Sequence, residues 1–152
     1  MAGVTDAQPA GARALDRLFC YGTLMTGFSR RPLLGPAVLE GTARVRGSLY
    51  DFGEYPGVVL DDGGWVVGEL YRVPDLGARL PRLDAAEGYD PANPARSLYL
   101  RGPVTTHVAP ATTRDAWLYV YNPAVGGAPG RAARIDEGDW RAHVAARGAV
   151  PR

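Results

Sequence analysis

The side chains able to do chemistry in this chain are a few carboxylates, set beside one glycine turn. Leu83-Asp84-Ala85-Ala86-Glu87-Gly88-Tyr89-Asp90-Pro91 sets Glu87 behind an apolar stripe and just ahead of a glycine. A carboxylate can take a proton and hand it back, which is general acid–base work. Taken alone, the same placement describes a solvated residue at a helix end. Glu69 shares a strand face with Trp65, Val67, Tyr71 and Val73. It reads first as a residue near a sheet edge that reaches solvent, and second as a pocket carboxylate. Leu18-Phe19-Cys20-Tyr21-Gly22-Thr23-Leu24 is an apolar run that stops at Gly-Thr. Gly22 permits a sharp change of direction, and it lets backbone N–H groups face an anionic group without a Cβ in the way. Tyr21 adds a flat wall and a hydroxyl beside that turn.

Other chemistries lack their residues. The sequence holds no Gly-x-Ser-x-Gly elbow for a serine hydrolase, no P-loop and no glycine-rich dinucleotide fingerprint. His107 and His143 stand far apart and there is one cysteine, so a zinc site has nothing to build on, and no cofactor is expected. Cys20, inside the apolar run, reads as a small core residue. The charge is balanced, 17 basic residues against 16 acidic for a net +1. That argues against nucleic acid or an anionic membrane as the main partner. All the basic residues are arginine, which reads as coding bias. No apolar run approaches the roughly 20 residues that span a bilayer. No basic start precedes an apolar core, so no secretory signal is read and the expected compartment is the cytoplasm.

The elements that must position these groups follow from periodicity and turn signals. At 152 residues the chain is expected to form one domain over residues 16–152, after a loose Ala/Gly/Pro-rich tail over 1–15. Residues 26–36 read as loop, with at most a short helix from Pro32. Residues 43–52 read as strand, 51–57 as a turn cluster, and 58–60 as strand. Asp61-Asp62-Gly63-Gly64 signals a hairpin returning through a strand over 65–73. Pro74-Asp75 is a helix start with Asp75 as the cap, and Pro81 should divide that helix into two pieces. Gly88 is its natural stop. Residues 97–109 read as strand broken at Gly102-Pro103, 115–122 as the last strong strand, and 123–130 as a flexible loop. Residues 135–147 read as the final helix, with Asp136, Glu137 and Asp139 near its positive end. About six strands without regular crossover helices argue against a doubly wound parallel sheet. The expected class is α+β: a small mixed or antiparallel β-barrel-like sheet with two or three flanking helices.

Three blocks taken together carry a family resemblance. Tyr21-Gly22-Thr23-Leu24, then Leu83-Asp84-x-x-Glu87-Gly88-Tyr89, then Trp117-x-Tyr119-x-Tyr121-Asn122 resemble the γ-glutamyl cyclotransferase family in its own order. Ile135-x-x-Gly138-Asp139-Trp140-Arg141 resembles its bacterial members. The resemblance implies a barrel-like sheet flanked by helices. It implies that the loop Tyr21, Gly22, Thr23, Leu24 holds the α-amino and α-carboxylate ends of a γ-glutamyl group through backbone amides. Glu87 falls on the family's catalytic acid/base position, and Tyr99 and Tyr121 fall where members place pocket tyrosines. The implied reaction is attack of the α-amine of a γ-glutamyl amide on its own γ-carbonyl, releasing an amine and closing 5-oxoproline. One carboxylate serving as base and then acid suits that reaction, and no covalent enzyme intermediate is needed. A non-catalytic small-molecule-binding protein on the same fold, or a plain interaction domain, are the alternatives; a turnover assay separates both from the enzyme.

Overall fold

A computed structural model describes residues 15–109 and 111–148. The tail expected over 1–15 lies outside them, apart from Leu15. Five strands form a closed barrel in the order β1-β5-β2-β6-β7. They are β1 (Arg17–Cys20), β2 (Val38–Arg46), β5 (Trp65–Arg72), β6 (Tyr99–Ala109) and β7 (Thr112–Tyr121). Neighbours run antiparallel except at the seam, where β1 meets β7 in parallel at Leu18 and Trp117. A second sheet has the order β4-β3-β8, from β3 (Ser48–Asp51), β4 (Pro56–Val59) and β8 (Arg134–Ile135). The helices are α1 (Leu76–Glu87), α2 (Pro123–Gly126) and α3 (Trp140–Ala146). The α+β barrel expected from the sequence is the fold observed, with eight strands among the described residues in place of about six.

Strand alternation places the core. Ala43 and Val45 on β2 are buried while Arg44 and Arg46 are exposed. Val66, Gly68 and Leu70 on β5 point inward, and Leu18, Phe19 and Cys20 on β1 are all buried. After Arg17, β1 is an unbroken buried run, and its two edges are paired by β5 and β7.

Several sequence expectations need correction. The Asp61–Gly64 turn is no hairpin between β4 and β5. β4 pairs with β3 and β5 pairs with β1 and β2, so the turn carries the chain from the small sheet to the barrel. The Gly47 N–H to Gly64 carbonyl bond, 3.0 Å, fixes that crossing. The hairpin is instead β3–β4, around 52–55. β6 runs through Gly102-Pro103 without a break. It pairs with β7 along its length but with β2 at Arg44–His107 alone, so Pro103 stands beside an edge with little ladder to interrupt.

Pro81 lies midway along an unbroken α1, where it forfeits one backbone bond. Burial of Leu76, Leu83 and Asp84 holds the helix against that loss. Asp75 precedes α1 in a left-handed conformation (φ 55°) and makes no side-chain cap; its carbonyl accepts the first helical N–H groups from Ala78 and Arg79. The stretch 123–130 opens with α2, capped by the Asn122 side chain accepting from Ala124 N–H. The final helix starts at Trp140 rather than at 135. Ile135 is taken by β8 against Leu49, and Asp139 caps α3 by accepting from Ala142 N–H at 3.0 Å.

Candidate active site

Glu87 is the last residue of α1. Gly88 ends the helix in the left-handed region (φ 74°), a conformation that costs a glycine little. Tyr89 N–H closes back on the Asp84 carbonyl at 2.9 Å. This turn aims Glu87 into a cavity of about 200 Å³ beside the end of β1. Tyr21, Gly22, Thr23 and Leu24 form one wall, Tyr55, Pro56 and Tyr99 another, and Tyr119 a third. Of the sequence-predicted residues, six line this one space: Glu87, Tyr21, Gly22, Thr23, Leu24 and Tyr99. Tyr121 stands outside the lining. Its ring stacks on Phe52, with centroids 4.3 Å apart, and meets Tyr99 edge-on, while its hydroxyl donates to the Gly127 carbonyl at 2.8 Å.

The Glu87 side chain is 15% exposed, and Oε2 accepts from Arg30 Nη1 at 3.0 Å. Burial pushes its carboxyl above the usual carboxylate range, against the opposing pull of Arg30. The tyrosines around it are neutral walls. Burial raises the phenols of Tyr21, Tyr99 and Tyr119 far from physiological pH. Each also spends its proton on the protein. Tyr21 donates to the Tyr119 carbonyl at 2.6 Å, Tyr99 to the Pro56 carbonyl at 2.7 Å, and Tyr119 to Asp84 Oδ1 at 2.6 Å. The N–H groups of Gly22, Thr23 and Leu24 donate to no backbone acceptor among the described residues. The loop that carries them lines the cavity.

Gly22 does not need a left-handed backbone. What requires glycine there is Pro56, whose Cγ would lie 2.8 Å from an added Cβ. Glu69 is neither at a sheet edge nor in the cavity. β5 is flanked by β1 and β2, and the carboxylate accepts from Thr26 N–H (2.8 Å) and Tyr71 hydroxyl (2.6 Å) and pairs with Arg141 (3.3 Å). Arg141 also donates to the Thr26 carbonyl at 2.7 Å. Glu69 thus anchors the loop after Leu24 to β5 and α3.

Sequence reasoning missed Arg30, which reaches the cavity from that loop, and the pair beneath it. Asp84, 3% exposed, binds Arg101 through both oxygens, at 2.8 and 3.1 Å. The Arg101 guanidinium lies between the rings of Tyr89 and Trp117. The available signal was spacing: Asp84 and Glu87 are three apart, hence on one face of a helix.

The family model for "Gamma-glutamyl cyclotransferase, AIG2-like" proteins matches residues 18–142. The chain belongs to this family. Among solved structures, the protein YtfP from Escherichia coli is similar at 32% identity and TM-score 0.53, with 82% of this chain and 95% of that chain covered. YkqA from Bacillus subtilis matches at 26% identity and TM-score 0.67 over 89% of this chain. The match spans 43% of the length of YkqA. An AIG2-like protein from Mus musculus has the same fold at 22% identity and TM-score 0.60, covering 91% of this chain and 95% of that one. Comparison with curated proteins finds no match. No described helix is long and apolar enough to cross a membrane.

Proposed function

We propose that this γ-glutamyl cyclotransferase family member converts a γ-glutamyl amide to 5-oxoproline and a free amine, with Glu87 as base and then acid. The observation that carries the reading is Glu87 itself. It is an enclosed carboxylate with a raised pKa, in a cavity also lined by the loop Gly22–Leu24, whose N–H groups donate to no backbone acceptor among the described residues. The α-nitrogen bonds to the γ-carbon, and the bond from that carbon to the departing nitrogen breaks. The α-ammonium gives up two protons in all and the departing nitrogen gains two. Glu87 carries them in turn, so no net charge is created and no cofactor is required. A carboxylate whose pKa is moved towards the working pH suits such a shuttle, contributing roughly 10²–10⁴-fold.

Positioning supplies the rest. The substrate must fold so that amine meets carbonyl, and a fixed near-attack geometry can supply as much as ~7–11 kcal/mol. The loop amides hold the α-carboxylate or the developing oxyanion. The neutral tyrosine walls exclude water, which strengthens both contacts. The single cysteine, buried and free, and the balanced charge favour a cytoplasmic enzyme of small molecules. The test is release of 5-oxoproline from a panel of γ-glutamyl amino acids, γ-glutamyl amines and glutathione. Tight binding of 5-oxoproline with no turnover of any substrate would leave a binding protein instead.

A further inference from the structure

Arg30 and Glu87 are the only charged side chains among the described residues lining the cavity. Nη1 of Arg30 donates to Glu87 Oε2 at 3.0 Å and to the Ala86 carbonyl at 2.8 Å. Its Nε and Nη2 donate to nothing among the described residues. Arg30 is 44% exposed where Glu87 is 15% exposed, so the guanidinium stands on the solvent side of the carboxylate.

On the reading of Glu87 given above, the substrate ammonium must come to the same carboxylate. Two cations then compete for one anion. The guanidinium loses part of its partner at the moment the site fills. With the glutamyl α-carboxylate held by the loop amides, as that reading has it, the departing amine extends towards solvent, the side on which Arg30 stands. We propose that Arg30 is a specificity-determining residue: it grips a carboxylate on the departing amine, so the favoured substrates are γ-glutamyl α-amino acids over γ-glutamyl amines. A planar guanidinium with Nε and Nη2 unused presents the two-pronged donor pair that a carboxylate accepts side by side. The same contact restores charge balance once the substrate ammonium has taken Glu87.

The test compares γ-glutamyl-alanine with γ-glutamyl-ethylamide, which differ by that one carboxylate. Wild type should favour the alanine compound by about tenfold or more in kcat/KM, the ordinary scale for a hydrogen bond to a charged group. Arg30→Gln should bring the ratio to within about twofold, and Arg30→Lys, which keeps the charge but not the fork, should fall between. An equal loss on both substrates in Arg30→Gln would overturn the proposal, because it would place Arg30 on the glutamyl group or on Glu87. So would a wild type indifferent to the carboxylate. If wild type releases 5-oxoproline from neither compound nor from the rest of the panel above, the cyclotransferase reading fails by itself. The affinities of the two compounds for wild type and Arg30→Gln, by calorimetry, then decide Arg30 on the same ratio.

Discussion

Arg101 and Asp84 meet as a two-bond ion pair joining β6 to α1, Nε to Oδ1 at 2.8 Å and Nη2 to Oδ2 at 3.1 Å. Tyr119 adds its hydroxyl to the same carboxylate from β7. The pair therefore ties the helix that ends in Glu87 to two strands of the barrel. Asp84→Ala leaves a guanidinium buried without its partner and should cost about 3 kcal/mol, the scale for breaking a buried pair. Urea unfolding measures it. The double variant Asp84→Leu/Arg101→Met should cost clearly less than the sum of the single changes; strict additivity would show that the two do not act as a unit.

Glu87→Gln keeps the shape of the side chain and removes the ability to carry a proton. Turnover should fall by roughly 10²–10⁴-fold with the circular dichroism spectrum unchanged. Arg30 keeps the Ala86 carbonyl as acceptor, so the loop should stay in place. A rate near wild type would remove Glu87 from the reaction.

The raised pKa of Glu87 has two consequences for pH dependence. At low substrate, activity should fall on the acid side as Glu87 protonates, with a midpoint above the ~4.3 of a free glutamate. A midpoint at or below that value would contradict a desolvated Glu87. For stability, the native state binds more protons than the unfolded state between the two pKa values. Stability therefore falls as pH rises through that window, and the cost is complete above it. Glu87→Gln should thus melt higher than wild type at neutral pH, with the difference closing at acid pH. An equal or lower melting temperature at neutral pH would show that the Arg30 contact repays the burial in full.

Gly22→Ala forces the Pro56 ring aside. Pro56 also accepts the Tyr99 hydroxyl, so one methyl group should disturb two walls of the cavity. The expected result is a stability loss of about 1–3 kcal/mol, as for other overpacked sites, with weaker binding of 5-oxoproline. Calorimetry on the folded variant reads the second effect. Unchanged binding would show that the wall yields freely.

What was legible in the sequence was local. The run Leu18–Leu24 and the helix stop at Gly88 follow from apolar patterning and from one residue type, and both ends of the site lay within them. The alternation on β2 and β5 was enough to give the barrel class. The Asp61–Gly64 hairpin failed because turn residues report a change of direction and not the identity of the next partner strand; that was decided by long-range pairing of β3 with β4. Pro81 failed as a break because packing of α1 outweighed a lost backbone bond, and Gly102-Pro103 because β6 has little ladder on its β2 side to interrupt. Arg30 and Asp84 were hidden for a similar reason. A charged residue on a loop or helix declares its role only once the fold brings its partner near, and those partners are 57 and 17 residues away in sequence.

The parallel seam between β1 and β7 sets an order of events during synthesis. β1 is made before the other described strands, and Trp117, its partner residue across the seam, follows far later in the chain. At ordinary ribosome speeds, Leu18, Phe19 and Cys20 wait ~5–20 s before Trp117 exists to cover that edge. Until then this buried run has one unpaired side, open to chaperones or to other nascent chains. Truncation before β7 should therefore yield aggregates rather than a smaller folded unit, and refolding should be slow for the protein's size, governed by closure of this distant contact.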